Sequence, residues 1–215
     1  MNCCSNPQCA GIEQIFNVSV AVDDLKKYKK KGPNKTTRLL LQAIHQQGVQ
    51  DATLLDIGGG IGAIQLELLD AGVARVTNVD ASPAYSQTAR GEAIRRGWGD
   101  RVSYQVGNFV DIAPTLEPAE IVTLDRVICC YNDMPALVRA SVDRAQRVYG
   151  VVFPKDTWWI KLGIAIADGI QALLRHPFRI FAHSTEAVEA LVREKGFVRV
   201  FTHQGIFWQV IVFAK

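Results

Sequence analysis

The 215 residues are 48% hydrophobic and 21% charged with a net charge of +3, proportions that fit one folded domain with a full core and exclude a disordered polymer or a mosaic of small modules. Five cysteines, an odd number in two clusters, and a polar start without an apolar signal core point to a reducing cytoplasm rather than a disulfide framework. No stretch reaches the roughly 18 uninterrupted apolar residues of a membrane span; the nearest, 158–174, contains Lys161 and Asp168.

In chain order, residues 1–21 show no clear period and are expected to form an extension holding Cys3, Cys4 and Cys9. A charged helix follows over 22–31, ended by Gly32-Pro33. Residues 26–38 hold seven of the 24 Lys and Arg and no acid, so the basicity is one patch and the remaining chain is net acidic. Such a run is ordinarily a solvated helix face, and nucleic-acid binding through it is the sharper alternative. Asn34 is placed to cap a second helix whose buried side is Leu39, Leu40, Ala43 and Ile44, with Gly48 as its stop.

Short apolar runs then alternate with helical segments, the pattern of a parallel sheet covered on both faces. Strands are expected over 52–57, 75–80, 102–107, 120–124 and 149–153, and helices over 63–71, 83–96 and 134–147. The end of the chain, FVRVFTHQGIFWQVIVFAK, has two extended runs joined around Gly205, and so short a link forces an antiparallel pair. Between the fifth strand and a helix capped by Ser184 lies an insertion at about 156–180. Its stripe of Ile160, Ile164, Ala167, Ile170 and Leu174 predicts a helix that covers the core or acts as a lid.

LLDIGGGIG, residues 54–62, delivers glycines from a strand into a helix start, where exposed N–H groups and missing side chains let a ligand approach the main chain. An acid about 20 residues later, here Asp80, suits the two hydroxyls of a ribose in either a dinucleotide or S-adenosylmethionine. Asp56, two residues before the first glycine, would repel a pyrophosphate yet attract an ammonium group or support the loop near a sulfonium. An NAD-type dehydrogenase is therefore the weaker reading.

LLDIGGGIG, NVDAS, VGNFVDI and the C-terminal hairpin together resemble the class I S-adenosylmethionine-dependent methyltransferases, over roughly residues 35–215. The resemblance implies an α/β, Rossmann-like, doubly wound seven-stranded sheet with five parallel strands and a C-terminal antiparallel hairpin, preceded by residues 1–34 as a helical extension on the lid or acceptor side. It implies that Asp56, Gly58, Gly59, Gly60 and Gly62 lie under the methionine part of the cofactor. Asp80 would bind ribose, with Ala81 and Ser82 beside the adenine. Asn108, where the family often has Asp, would accept from the adenine amino group, Phe109 would wall the ring, and Asp125 completes the cofactor set. S-adenosylhomocysteine would be the product.

More narrowly, Tyr28 within KKYKKKG, Leu124-Asp125 and Tyr131 resemble the magnesium-protoporphyrin O-methyltransferase group. Relatives often place His before that tyrosine, and this chain has Cys130, so a histidine base is not implied. A carboxylate is already ionised at neutral pH and needs no base, whereas a hydroxyl or phenol gains about 10²–10⁴-fold from one. The expected acceptor is thus a small, anionic or planar molecule, with carboxylate O-methylation ahead of a thiol or Cys-bound metalloid. Tyr28 and Tyr131 are the expected catalytic residues, and Lys35, Trp158 and His183 the expected substrate contacts, with Arg38 as a further cation. No metal ligand set is assigned, although Cys3, Cys4 and Cys9 could fasten the extension through zinc. The oligomeric state is left open.

Overall fold

The computed structural model describes residues 11, 12, 14–173 and 179–215. Cys3, Cys4 and Cys9 lie outside the described residues, as do Leu174 and Arg175 of the expected insertion helix.

The first two helices described over their full length are α1, Val18–Lys31, and α2, Lys35–His45, each started by an asparagine that accepts from the backbone of its first turn: Asn17 from Val20 N, and Asn34 from Thr36 N and Thr37 N. The first helix therefore starts four residues before the expected Val22. β1, Thr53–Ile57, leads to α3, Ala63–Asp70; β2, Arg75–Asp80, to α4, Pro83–Arg95; and β3, Val102–Val106, to the single turn α5, Phe109–Ile112. β4, Ala119–Asp125, is followed by α6, Met134–Val142, and β5, Ala145–Pro154, by α7, Trp158–Leu173. α8, Thr185–Arg193, and the hairpin β6, Val198–Gln204, with β7, Trp208–Ala214, complete the chain.

The strands form one seven-stranded sheet in the order β3-β2-β1-β4-β5-β7-β6. β1 to β5 are parallel, and β7 enters antiparallel between β5 and β6. Order reverses at β1, whose neighbours β2 and β4 diverge, and a crevice opens there at the carboxyl edge.

Both faces are packed, which is why β5 over Val148–Phe153 and β7 over Val210–Phe213 are buried residue after residue rather than alternately. On one face Leu40, Ala43 and Ile44 of α2 and Leu68 and Leu69 of α3 meet Val148, Val152, Val210 and Val212. On the other, Leu137 and Val138 of α6 and Val188, Leu191 and Val192 of α8 meet Tyr149, Phe153 and Phe213. The Tyr149 hydroxyl, fully buried, is satisfied by Ser141 Oγ at 2.7 Å.

Two expectations are corrected. The helix expected over 134–147 ends at Val142, and β5 begins at Ala145 rather than Tyr149. The chain turns because Arg144 is tied to a distant loop: its Nη1 donates to Leu116 O at 2.9 Å and its carbonyl accepts from Ala119 N at 2.8 Å. The insertion helix α7 forms as expected but does not cover the core. Ile160 is buried, yet Trp158 is 77% exposed, and Trp159, Leu162, Ile166 and Ala167 also face solvent. No helix among the described residues is long and apolar enough to cross a membrane.

Candidate active site

The loops at the carboxyl ends of β1 to β4, the hinge between α1 and α2, and the start of β7 enclose a cavity of about 870 Å³. Its lining includes an acidic, glycine-rich set, Asp56, Gly58, Gly59, Gly60 and Asp80. The same lining includes the cations Lys31, Arg38 and Arg126 and the side chains of Tyr131, Ile180, Phe207 and Trp208.

The glycines are required by contact and by conformation. A Cβ on Gly59 would overlap the Asn78 amide and stand 2.9 Å from Asp56 Oδ2, and Gly60 has φ +56. Gly60 N donates to Asp80 Oδ2 at 2.8 Å, and Ser82 N donates to Asp80 Oδ1 at 2.7 Å. Asp80 thus braces two loops while each carboxylate oxygen keeps acceptor capacity. Burial still raises its pKa, because desolvation outweighs the two N–H donors.

Asp56 is fully buried at the end of β1. Thr123 donates to its Oδ1 at 2.7 Å, whereas Oδ2 has no hydrogen-bond partner. Desolvation, aided by the nearby charges of Asp125 and Asp80 and opposed by Thr123, pushes its pKa up to about 7. An orphaned buried carboxylate oxygen beside a glycine loop is a ready acceptor for a ligand's cationic donor. Asn108 donates from Nδ2 to Asp111 at 3.0 Å, leaving its amide oxygen as an acceptor, and Phe109 lines the same end of the cavity.

Asp125 accepts from Thr37 Oγ1 and stands 3.4 Å from Arg126 Nε. Arg126 has φ +64, a conformation that costs a non-glycine residue about 1–3 kcal/mol and collects at functional sites. Its amide donates to Val152 O at 2.8 Å, and its guanidinium lies 5.5 Å from the centre of the Trp208 ring. Sequence reasoning missed Arg126 and Thr37, because Thr37 of α2 meets Asp125 at the end of β4 and Arg126 meets Trp208 of β7, partners far away along the chain.

Several expected residues stand elsewhere. Ala81 lines the cavity, but Ser82 is buried and does not: its Oγ caps α4 through Tyr85 N and donates to Phe16 O at 2.6 Å. Gly62 is the left-handed start of α3, just outside the cavity lining. Tyr28 borders the cavity, yet its hydroxyl donates to Glu67 at 2.7 Å and accepts from Arg96 at 3.1 Å. Burial and Glu67 raise its pKa, so it is a poor base. Lys35 and Trp158 are solvent-exposed, outside the lining, and Lys31 and Arg38 take the place expected of Lys35. His183 also lies outside: its Nε2 is 2.8 Å from Tyr131 O and its ring stacks on Phe181, so it braces the loop that carries Tyr131. Tyr131 itself lines the cavity. Much of the lysine run is paired, Lys26 with Asp23, Lys27 with Asp24 and Lys29 with Glu92, which reduces it as an anion-binding face.

A family model described as a methyltransferase domain matches residues 54–150. The ribosomal protein L11 methyltransferase of Escherichia coli is 34% identical over 71 residues, a third of this chain and 24% of its own length, so the match spans about a quarter of that relative. Among solved structures, the magnesium protoporphyrin IX methyltransferase of Synechocystis PCC 6803, with bound S-adenosylhomocysteine, superposes with a TM-score of 0.72 at 14% identity, covering 97% of this chain and 99% of that one. A putative sarcosine dimethylglycine methyltransferase from Galdieria sulphuraria gives 0.67 at 15% identity, covering 84% and 85%. Residues 54–150 thus match a methyltransferase domain, and the sheet order and the glycine-acid cavity agree with that match.

Proposed function

We propose that the protein transfers the methyl group of S-adenosylmethionine to a carboxylate oxygen of a small anionic acceptor. Bound in the cavity, the cofactor supplies a methyl group activated by the sulfonium. Asp56 Oδ2 suits the cofactor's ammonium group, Asp80 its ribose hydroxyls, and the Asn108 amide oxygen with Phe109 its adenine. The orphaned oxygen of Asp56 and the double bracing of Asp80 both fit that occupant.

The observation that carries the acceptor reading is the make-up of the cavity beyond the glycine loop. Arg126, Lys31 and Arg38 line it together with Tyr131, Ile180, Phe207 and Trp208, and the Arg126 guanidinium lies 5.5 Å from the centre of the Trp208 ring. A planar carboxylate pairs with a guanidinium through two parallel N–H donors, and its apolar body fills the wall. Tyr28 and His183, the side chains first expected as base or contact, are bonded to protein groups instead. An acceptor that arrives ionised needs only alignment and exclusion of water, and alignment alone supplies about 7–11 kcal/mol. Tyr131 is assigned to positioning the acceptor. The name of the Synechocystis neighbour, a magnesium protoporphyrin IX methyltransferase, is in keeping with a flat acceptor.

The test is methyl transfer from isotopically labelled S-adenosylmethionine to a panel of aromatic and aliphatic carboxylates, phenols and thiols. The reading requires label in a methyl ester that mild alkali releases as methanol. Label confined to thioethers or phenol ethers would overturn it.

A further inference from the structure

Cys129 and Cys130 end the tight turn after β4, and both line the cavity. Their Sγ atoms are 3.8 Å apart, far beyond the roughly 2.05 Å of a disulfide. Both sulfurs also lie over one carbonyl, that of Arg126, at 3.4 and 3.5 Å. Two thiols are thus held converging on one carbonyl, whose residue is fixed by its amide on Val152 O and its guanidinium over Trp208.

Sulfurs bound at about 2.3 Å to one soft centre stand roughly 3.3–3.8 Å apart for bond angles between about 90° and 110°, so the pair needs to close by no more than about 0.5 Å to grip a single centre. Zinc would need further protein ligands, and among the described residues no group of three or more His, Cys, Asp or Glu could hold a metal ion. A centre satisfied by two thiolates, its third position occupied by its own organic substituent, matches what is present. We propose that Cys129 and Cys130 form a chelating site for a monosubstituted trivalent arsenical within this cavity.

The exchange balances without an oxidant. Two As–S bonds form, two As–OH bonds break, and the thiol protons leave with the hydroxyls as two waters, arsenic remaining trivalent. The hydrogen bond from Cys129 holds the Cys130 thiol below its usual pKa and leaves Cys129 well above, so Cys130 is the sulfur that attacks first. The aromatic wall of Phe207 and Trp208 offers the substituent an apolar seat in the same cavity. The proposal is independent of which acceptor is methylated.

Hydrated phenylarsine oxide is the probe, and the protein is the full chain with Cys3, Cys4 and Cys9 replaced by Ser, which leaves only the vicinal pair. Native mass spectrometry is expected to find one adduct per chain, released by a dithiol and retained in an equal excess of a monothiol. Cys130→Ser in that background is expected to lose affinity by roughly 10²–10⁴-fold, the advantage of a second tethered contact, while a cooperative thermal transition verifies its fold. No adduct on the triple-Ser protein, or an adduct that survives Cys130→Ser, would overturn the site.

Discussion

Asp56→Asn separates what Asp56 costs the empty fold from what it gives the ligand. Its carboxyl is fully buried, and its pKa stands at about 7 against 3.8 for the unfolded chain. In the folded state it therefore holds a proton that the unfolded chain has released between about pH 4 and 7, so stability falls as pH rises through that window and levels off above it. Three units at 1.36 kcal/mol each give about 4 kcal/mol. Asn is shaped like the protonated acid and can still accept from Thr123, but it does not titrate. The variant should match the wild type near pH 4 and exceed it at pH 8 by up to about 4 kcal/mol, or roughly 8–16 °C for a chain of this size. The new Nδ2 group reduces that gain if no acceptor reaches it. The same variant should lose affinity for S-adenosylhomocysteine, and wild-type affinity should weaken as pH drops below about 7. Thermal melts of both ligand-free proteins from pH 4 to 8.5 provide the assay. Parallel curves, with no widening gap between pH 4 and 7, would refute the reasoning.

Four further outcomes follow from the geometry. Glu92, whose pKa is lowered to about 2 chiefly by Arg95 with Lys29 and Arg96, has the opposite sign: its stabilisation is present above its unfolded pKa of 4.5 and is lost as pH falls towards 2, so Glu92→Gln should flatten the acid limb of the melting curve. Arg126→Lys keeps the charge but loses the planar fork and the seat on Trp208, and should raise KM for the carboxylate acceptor about 10–100-fold while S-adenosylhomocysteine titration changes little. Tyr131→Phe should slow turnover without altering cofactor affinity, and equal activity would remove Tyr131 from the site. Tyr28→Phe should cost stability of about 1–3 kcal/mol by removing the donor to Glu67 and one acceptor of Arg96, which keeps Asp70 and Glu92, with kcat retained; a kcat collapse with an intact melt would restore Tyr28 to the chemistry.

The sheet was legible because its signals are local. Leu54 to Ile57 and Ile121 to Leu124 are short, mainly apolar runs followed by turn residues, and the link at Gly205 leaves no room for a crossover. The acidic half of the site was legible for the same reason, since Asp56 and Asp80 stand at strand ends beside the glycines. What was missed depends on partners remote in sequence. The helical period continues unbroken through MPALVRASVDRAQRV, and only the bonds of Arg144 to Leu116 and Ala119 end the helix and start β5. Tyr28 looked free for chemistry until Glu67 and Arg96 closed on it. Arg126 reads as an ordinary turn residue until its backbone conformation and Trp208 set it in the cavity lining.

The central claim is that the cavity above β1 holds S-adenosylmethionine through Asp56 and Asp80. Calorimetric titration of the wild type and of Asp80→Ala with S-adenosylhomocysteine and with NADH, at pH 8, tests it most directly. The account predicts one S-adenosylhomocysteine per chain, NADH binding weaker by at least about tenfold, equivalent to 1.4 kcal/mol, and loss of S-adenosylhomocysteine affinity in the variant. Tight NADH binding without S-adenosylhomocysteine binding, or an Asp80→Ala titration identical to the wild type, would contradict it.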